Sequence, residues 1–267
     1  TWAVIPIYYY NDVYLQKADV DGIFSTVFGM KFFMFATNES NPGSLKINIA
    51  SEPDYLDPAL TSSVDGGCLA VNTFAGLNTY NADGQLVPAV AESYDVSDDG
   101  TEYTFHLRET KWSNGEELTA NDFVYSWNRV IADETAADYS YLFDVVERNA
   151  DGSLAVEATD DYTLTVKLVS PCAYFIDLTA FPTFYPVYQA DVEAANPDGT
   201  NPGAWAQEAD FVSNGAYTLQ TWNHNESMVY VKNDNYYDAD KVTMDTLEFM
   251  LSDDDTAIYA AYNSGDL

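Results

Sequence analysis

Two histidines, two cysteines and 43 carboxylates are the groups in this chain that could do chemistry. His106 falls on the polar side of the alternating run YTFHLRE, and His224 sits in the turn WNHNES. Neither has a metal-ligating partner four residues on, and no G-x-S-x-G element supplies a nucleophile for either to activate. Cys68 and Cys172 have no C-x-x-C spacing and no histidine close by in sequence. They read as two buried thiols, with a single disulfide as the second reading, and not as metal ligands. With so many carboxylates some pair always falls at a glycosidase-like separation, so such a pair carries no weight and the chain is read as a non-enzyme. The Asp-rich runs DVSDDGTEY and NDNYYDADKVTMD lack the D-x-[DN]-x-[DN]-G loop spacing and read as solvated turns. No cofactor or metal is expected.

What remains is binding. Aromatics make up 15% of the chain, including 21 tyrosines, whose rigid apolar face and single polar tip suit them to holding ligands. Ten Lys and Arg against 43 Asp and Glu give a formal charge of −33, which repels phosphate backbones and anionic lipid and excludes nucleic acid as a partner. Acidic residues spread over the whole chain suit a solvated surface in a salty or extracytoplasmic setting. No apolar run reaches the roughly 20 residues that span a bilayer. A charged, apolar leader with a cleavage site is also missing, so any export signal is expected to have been removed.

Stepping from side chains to the elements that carry them, residues 4–10 (VIPIYYY) suggest a short buried strand broken by Pro6. LKINIAS alternates as a half-buried strand does, and CLAVNTFAGL places Leu69, Val71, Phe74 and Leu77 at helical intervals. Asp83-Gly84, Asp99-Gly100 and Asn114-Gly115 mark turns between short strands. Thr119 with Asp122 three residues on caps a helix that turns Phe123, Val124, Trp127, Val130 and Ile131 to one side. YTLTVKLVSP is a further strand. After residue 171 come a hairpin (NGAYTLQTWNHNESMVYVKNDNYY), a strand (VTMDTLEFML) and a helix with an Asp-rich start that ends at Gly265.

Several of these stretches together resemble the extracellular solute-binding proteins that serve ABC importers of oligopeptides, dipeptides and nickel complexes, the oligopeptide type most of all. The resemblance rests on LDPALTSS, on the long run from FAGLNTYNADGQLVPAVAESYDVSDDG through TEYTFHLRETKWSNGEELTANDFVYSWNRV, on DDYTLTVKLVSPCAYF and on VSNGAYTL, in family order over residues 45–267. Residues 4–36 resemble the carboxyl-terminal end of the same family, so the chain reads as circularly permuted. Its last strand pair is moved ahead of its first strand and expected to pair with the sheet begun by residues 45–51, and a second large lobe is missing.

The resemblance implies an α+β (mixed α/β) fold: one lobe of a periplasmic-binding-protein type II-like architecture with an inserted β-rich domain. The divisions expected are a transplanted segment at 1–37, a linker at 38–44, lobe parts at 45–75 and 171–267, and the inserted domain at 76–170. It implies a monomeric, extracytoplasmic substrate-binding component of an oligopeptide importer, periplasmic or lipid-anchored, that hands cargo to an ABC permease. Binding here is expected to be weak or lost; a dipeptide or nickel-complex carrier and an inert structural fragment are the other readings. The residues implied to face the ligand are Ser62, Ser63 and Val64, offering main chain, together with Tyr139, Tyr10 and Tyr262. The run at Ser63 also reads as a plain helix cap.

Overall fold

The structure, a computed structural model, describes residues 7–9 and 13–267. Short hairpins open it. β1 (Val20–Asp21) pairs with β4 (Thr37–Asn38), and between them β2 (Phe24–Ser25) pairs with β3 (Lys31–Phe32). Gly22 and Gly29, at φ +79° and +82°, make the tight turns; a Cβ on Gly22 would stand 2.0 Å from the Phe35 carbonyl oxygen. The buried strand expected at 4–10 falls partly outside the described residues. Where it is described it is corrected: Ile7, Tyr8 and Tyr9 carry no regular structure and are exposed.

β5 (Ser44–Asn48) begins the main sheet, burying Leu45 and half-burying Ile47. α1 (Val64–Thr73) follows, starting and ending earlier than the apolar spacing predicts, because Ser63 caps its start and Phe74 leaves it in an extended conformation. A hairpin of β6 (Asn78–Tyr80) and β7 (Leu86–Pro88) turns through Asp83-Gly84 as expected.

β8 (Ala91–Val96) and β9 (Glu102–Leu107) come next, then the small pair β10 (Thr110–Lys111) and β11 (Glu117–Leu118). α2 (Ala120–Val130) starts where the Thr119 N–H donates to the Asp122 carboxylate at 2.7 Å. β12 (Val156–Asp160) and β13 (Thr163–Lys167) complete an antiparallel sheet ordered β12-β13-β9-β8. Its inner face carries Tyr103, Phe105, Leu164 and Val166, and α2 lays Phe123, Trp127 and Val130 against the interior. The period-2 and period-3.6 patterns in these segments are therefore burial patterns.

Two short helices, α3 (Phe175–Leu178) and α4 (Gln189–Ala195), lead back to the main sheet. There β14 (Tyr217–Asn223), β15 (Ser227–Lys232) and β16 (Thr246–Met250) run antiparallel, and β5 lies parallel beside β16. α5 (Asp255–Ser264) is capped by Asp254 and stopped by Gly265 at φ +89°. Among the described residues no helix is long and apolar enough to cross a membrane.

Among the described residues the opening segment packs onto this frame without extending its ladder. Phe32 and Phe33 are buried, Phe33 meets Phe249 of β16 edge-on at 5.7 Å, and Tyr217 donates its hydroxyl to the Phe33 carbonyl at 3.3 Å. Asn72 of α1 donates to the Lys31 carbonyl at 2.8 Å and accepts from the Phe33 N–H at 3.0 Å. Among the described residues the expected pairing with the sheet begun by 45–51 is not made: the segment folds on itself at its glycines, pairs its short strands with one another, and meets the frame through side chains and through the Thr243 N–H, which donates to the Met34 carbonyl at 3.0 Å.

Candidate functional site

The site begins with a buried carboxylate. Asp57, 1% exposed, accepts from Arg129 Nη1 at 3.1 Å, from Arg129 Nη2, from Trp205 Nε1 at 2.9 Å and from the Ala59 N–H at 2.9 Å. Its carbonyl accepts from the N–H groups of Leu60 and Thr61, both at 3.0 Å. Arg129 also donates to the Pro202 carbonyl at 2.8 Å. Burial is the largest single influence on Arg129 and would lower its pKa, but the charge of Asp57 and its hydrogen bonds together hold the guanidinium above its ordinary value. This knot fixes where residues 62–64 leave the interior.

Ser62, Ser63 and Val64 are all exposed, and Ser63 is extended at φ −95°, ψ 158°. Among the described residues none of their three N–H groups meets a protein acceptor. The Ser63 hydroxyl accepts from the Gly66 N–H at 3.1 Å, so the plain cap that the sequence also allows is present, and it leaves the N–H groups of the run free. Gly66 is required by the close approach: a Cβ there would stand 2.0 Å from Thr61 Oγ1.

Four segments meet around this run. Ser62 donates its hydroxyl to Asp138 at 3.0 Å, and the Tyr139 hydroxyl reaches the Ser62 carbonyl at 3.5 Å. The Tyr139 ring packs edge-on against Tyr141 at 6.1 Å and Phe181 at 5.5 Å. Phe181 in turn meets Phe28, from the opening segment, at 5.8 Å. The backbone at Gly29 lies beside Val64, whose Cγ1 would be 3.4 Å from a Cβ there. The result is a row of unpaired N–H donors bordered by a half-open aromatic surface. No histidine or cysteine takes part. Such a face can grip an extended main chain and stack on its side chains.

The other residues implied by the sequence lie elsewhere. Tyr10 falls outside the described residues. Tyr262, on α5, donates its hydroxyl to the Gln16 carbonyl at 3.1 Å and lies under the Lys17 ammonium, 4.0 Å from ring centre to Nζ; that amine also donates to the Tyr262 carbonyl. Among the described residues no hydrogen bond or ring contact joins Tyr262 to the Ser62 group. Asp138, Phe28 and Phe181 were missed. Asp138 could have been found as the neighbour of Tyr139, whereas Phe28 and Phe181 have no local signal because they meet only in the fold.

The remaining reactive groups are structural. His106 Nε2 stands 2.8 Å from Asp95, and His224 Nδ1 stands 2.6 Å from Glu52. Both cysteines are buried and unbridged. Among the described residues no group of three His, Cys, Asp or Glu side chains could hold a metal ion.

Comparison with known proteins fits this geometry. Residues 85–267 match the middle region of the bacterial extracellular solute-binding proteins, family 5. The chain is 36% identical over 234 residues to the oligopeptide-binding protein OppA of Bacillus subtilis, covering 84% of this chain and 42% of that protein. It is 34% identical over 233 residues to the probable deoxycholate-binding periplasmic protein YgiS of Escherichia coli, again over 83% of this chain and 42% of that protein. Listeria monocytogenes OppA bound to peptide superposes with a TM-score of 0.78 at 36% identity, covering 84% of this chain and 45% of that one. The chain therefore spans less than half the length of these relatives. Its sheets and helices are those of one part of such a protein, and the chain belongs to the bacterial extracellular solute-binding proteins of family 5.

Proposed function

We propose that this chain forms one wall of the peptide site of an oligopeptide-binding protein that serves an ABC importer outside the cytoplasmic membrane. The observation that carries this reading is the row of three consecutive N–H groups, at Ser62, Ser63 and Val64, exposed and without protein acceptors. A peptide carbonyl ladder is their natural complement, since main-chain groups are common to all peptides and give affinity without sequence choice. Tyr139 and its aromatic neighbours then offer surface to side chains. Tyr262 and Tyr10 are proposed as ligand-facing on the family resemblance alone.

In this reading residues 1–37 are the family's closing segment placed ahead of its opening strand, with 38–44 as the linker. Residues 45–75 and 171–267 make the lobe, and 76–170 an inserted domain. The docking of Phe32, Phe33 and Met30 against the frame supports that arrangement. The parent is a monomer, periplasmic or lipid-anchored, that delivers peptide to its permease. The second wall is assigned to the part of the relatives' length that lies outside the match. With one side open to water each remaining hydrogen bond contributes only about 0.5–1.5 kcal/mol. Calorimetric titration with tri- to pentapeptides is expected to show millimolar or weaker binding; micromolar binding would contradict the single-wall reading.

A further inference from the structure

The chain has three arginines. Arg129 is paired with Asp57, and Arg148 donates to the Gly152 carbonyl at 3.2 Å. Arg108 differs: among the described residues no acceptor meets any N–H of its guanidinium, and its Nε–H is buried without a partner. Its charge lies over the Tyr237 ring, 4.4 Å from the centroid, which holds the fork flat while leaving its donors unused. Its backbone is fixed as well, the N–H donating to the Val90 carbonyl at 3.0 Å.

This fork lines an open groove of about 520 Å³ whose other walls are Glu92, Leu107, Glu109, Tyr162 and Tyr237. The groove shares no residue with the Ser62 face. An unspent planar fork selects a carboxylate, which it can bind through two parallel hydrogen bonds. A bare anion is nevertheless a poor fit, because two glutamates share the groove and the whole chain carries −33. A ligand with both charges resolves the conflict: its carboxylate meets Arg108 and its ammonium meets Glu92 and Glu109. Tyr162 and Tyr237 supply apolar walls between the two ends.

From this juxtaposition we infer that the Arg108 groove is a second binding site, taking a small zwitterion of the amino acid or short-peptide class. It is independent of the peptide wall proposed above, since it uses other residues and other groups.

The test is a titration of the ¹⁵N-labelled chain with trialanine, N-acetyl-trialanine and trialanine amide, reading the Arg108 Nε–Hε signal and the amides of Leu107, Glu109 and Tyr162. Trialanine is expected to shift these signals saturably in the millimolar range, and each blocked peptide to bind at least about tenfold more weakly. Arg108→Lys, which keeps the charge and loses the fork, should bind at least about tenfold more weakly. Glu109→Gln, an exposed change that leaves the Tyr237 stack untouched, should weaken trialanine but not N-acetyl-trialanine. Saturable shifts confined to Ser62, Ser63 and Val64, no saturable shift at the groove, or equal binding of the acetylated peptide would each overturn the inference.

Discussion

Asp57 and Arg129 meet across 72 residues of sequence, and their pairing decides where the exposed run emerges. Removing one partner of a buried pair leaves the other charged and unsolvated. Asp57→Ala should therefore lower stability by about 3–5 kcal/mol in urea unfolding, since Arg129 and the Trp205 N–H both lose their acceptor. A loss under 1 kcal/mol would show the knot to be dispensable. None of this network is legible in the LDPALTSS run, because its partners come from distant segments. The Thr119 cap was legible, because both of its groups lie within one turn.

His224 makes a second residue-scale case. The hydrogen bond that His224 donates to Glu52 raises the imidazole above its ordinary value, helped by the more distant Glu208 carboxylate at 3.5 Å. Glu52 is penalised by burial, yet the Asn225 N–H and His224 hold it below its ordinary value. A raised histidine stabilises fully below its unfolded pKa of 6.5 and loses that contribution as pH rises through the raised value. A lowered glutamate stabilises above its unfolded 4.5 and loses the contribution as pH falls through the lowered one. The clasp is thus strongest between these two limits. His224→Gln should lower Tm by about 1–3 °C near pH 5.5 and by less at pH 8.5, as expected of a solvent-screened pair. An equal loss at both pH values would show that the charge is not involved.

At the scale of elements, α1 works on two sides. Its N-terminus ends the exposed run, and Asn72, 3% exposed, ties it to β3 by standing in for a strand neighbour. The same amide nitrogen also donates to the Cys68 carbonyl at 2.7 Å. Asn72→Leu should cost about 1–3 kcal/mol, the penalty for leaving buried groups unpaired. It should also speed hydrogen exchange at the Phe33 amide more than at amides of the β8–β9 ladder; uniform acceleration would mean that the opening segment does not depend on this tie. The helix itself was legible from its apolar spacing and its cap from Ser63, but its end was not. Leu77 belongs to the interior without belonging to the helix, so burial and helicity were read as one signal. The expected buried strand fails at 7–9, where Ile7, Tyr8 and Tyr9 stand exposed.

Across the whole molecule, the α+β architecture and the antiparallel sheet β12-β13-β9-β8 follow from patterns visible in sequence, since alternation and Gly turns are local. The parallel placement of β5 beside β16 is not local, and nothing read from the sequence pointed to it. The face at Ser62 is intermediate: its position was implied by resemblance, while the aromatic border that makes it a surface arises from four segments meeting. The central claim is that this face receives a peptide main chain at its three free N–H groups. Its most direct test is a ¹⁵N–¹H titration of the whole chain with a mixture of tri- to pentapeptides. The amides of Ser62, Ser63 and Val64 should shift together and saturate with millimolar affinity. If those amides stay unmoved at saturating peptide while the chain remains folded, the face is only a helix cap and the account is wrong.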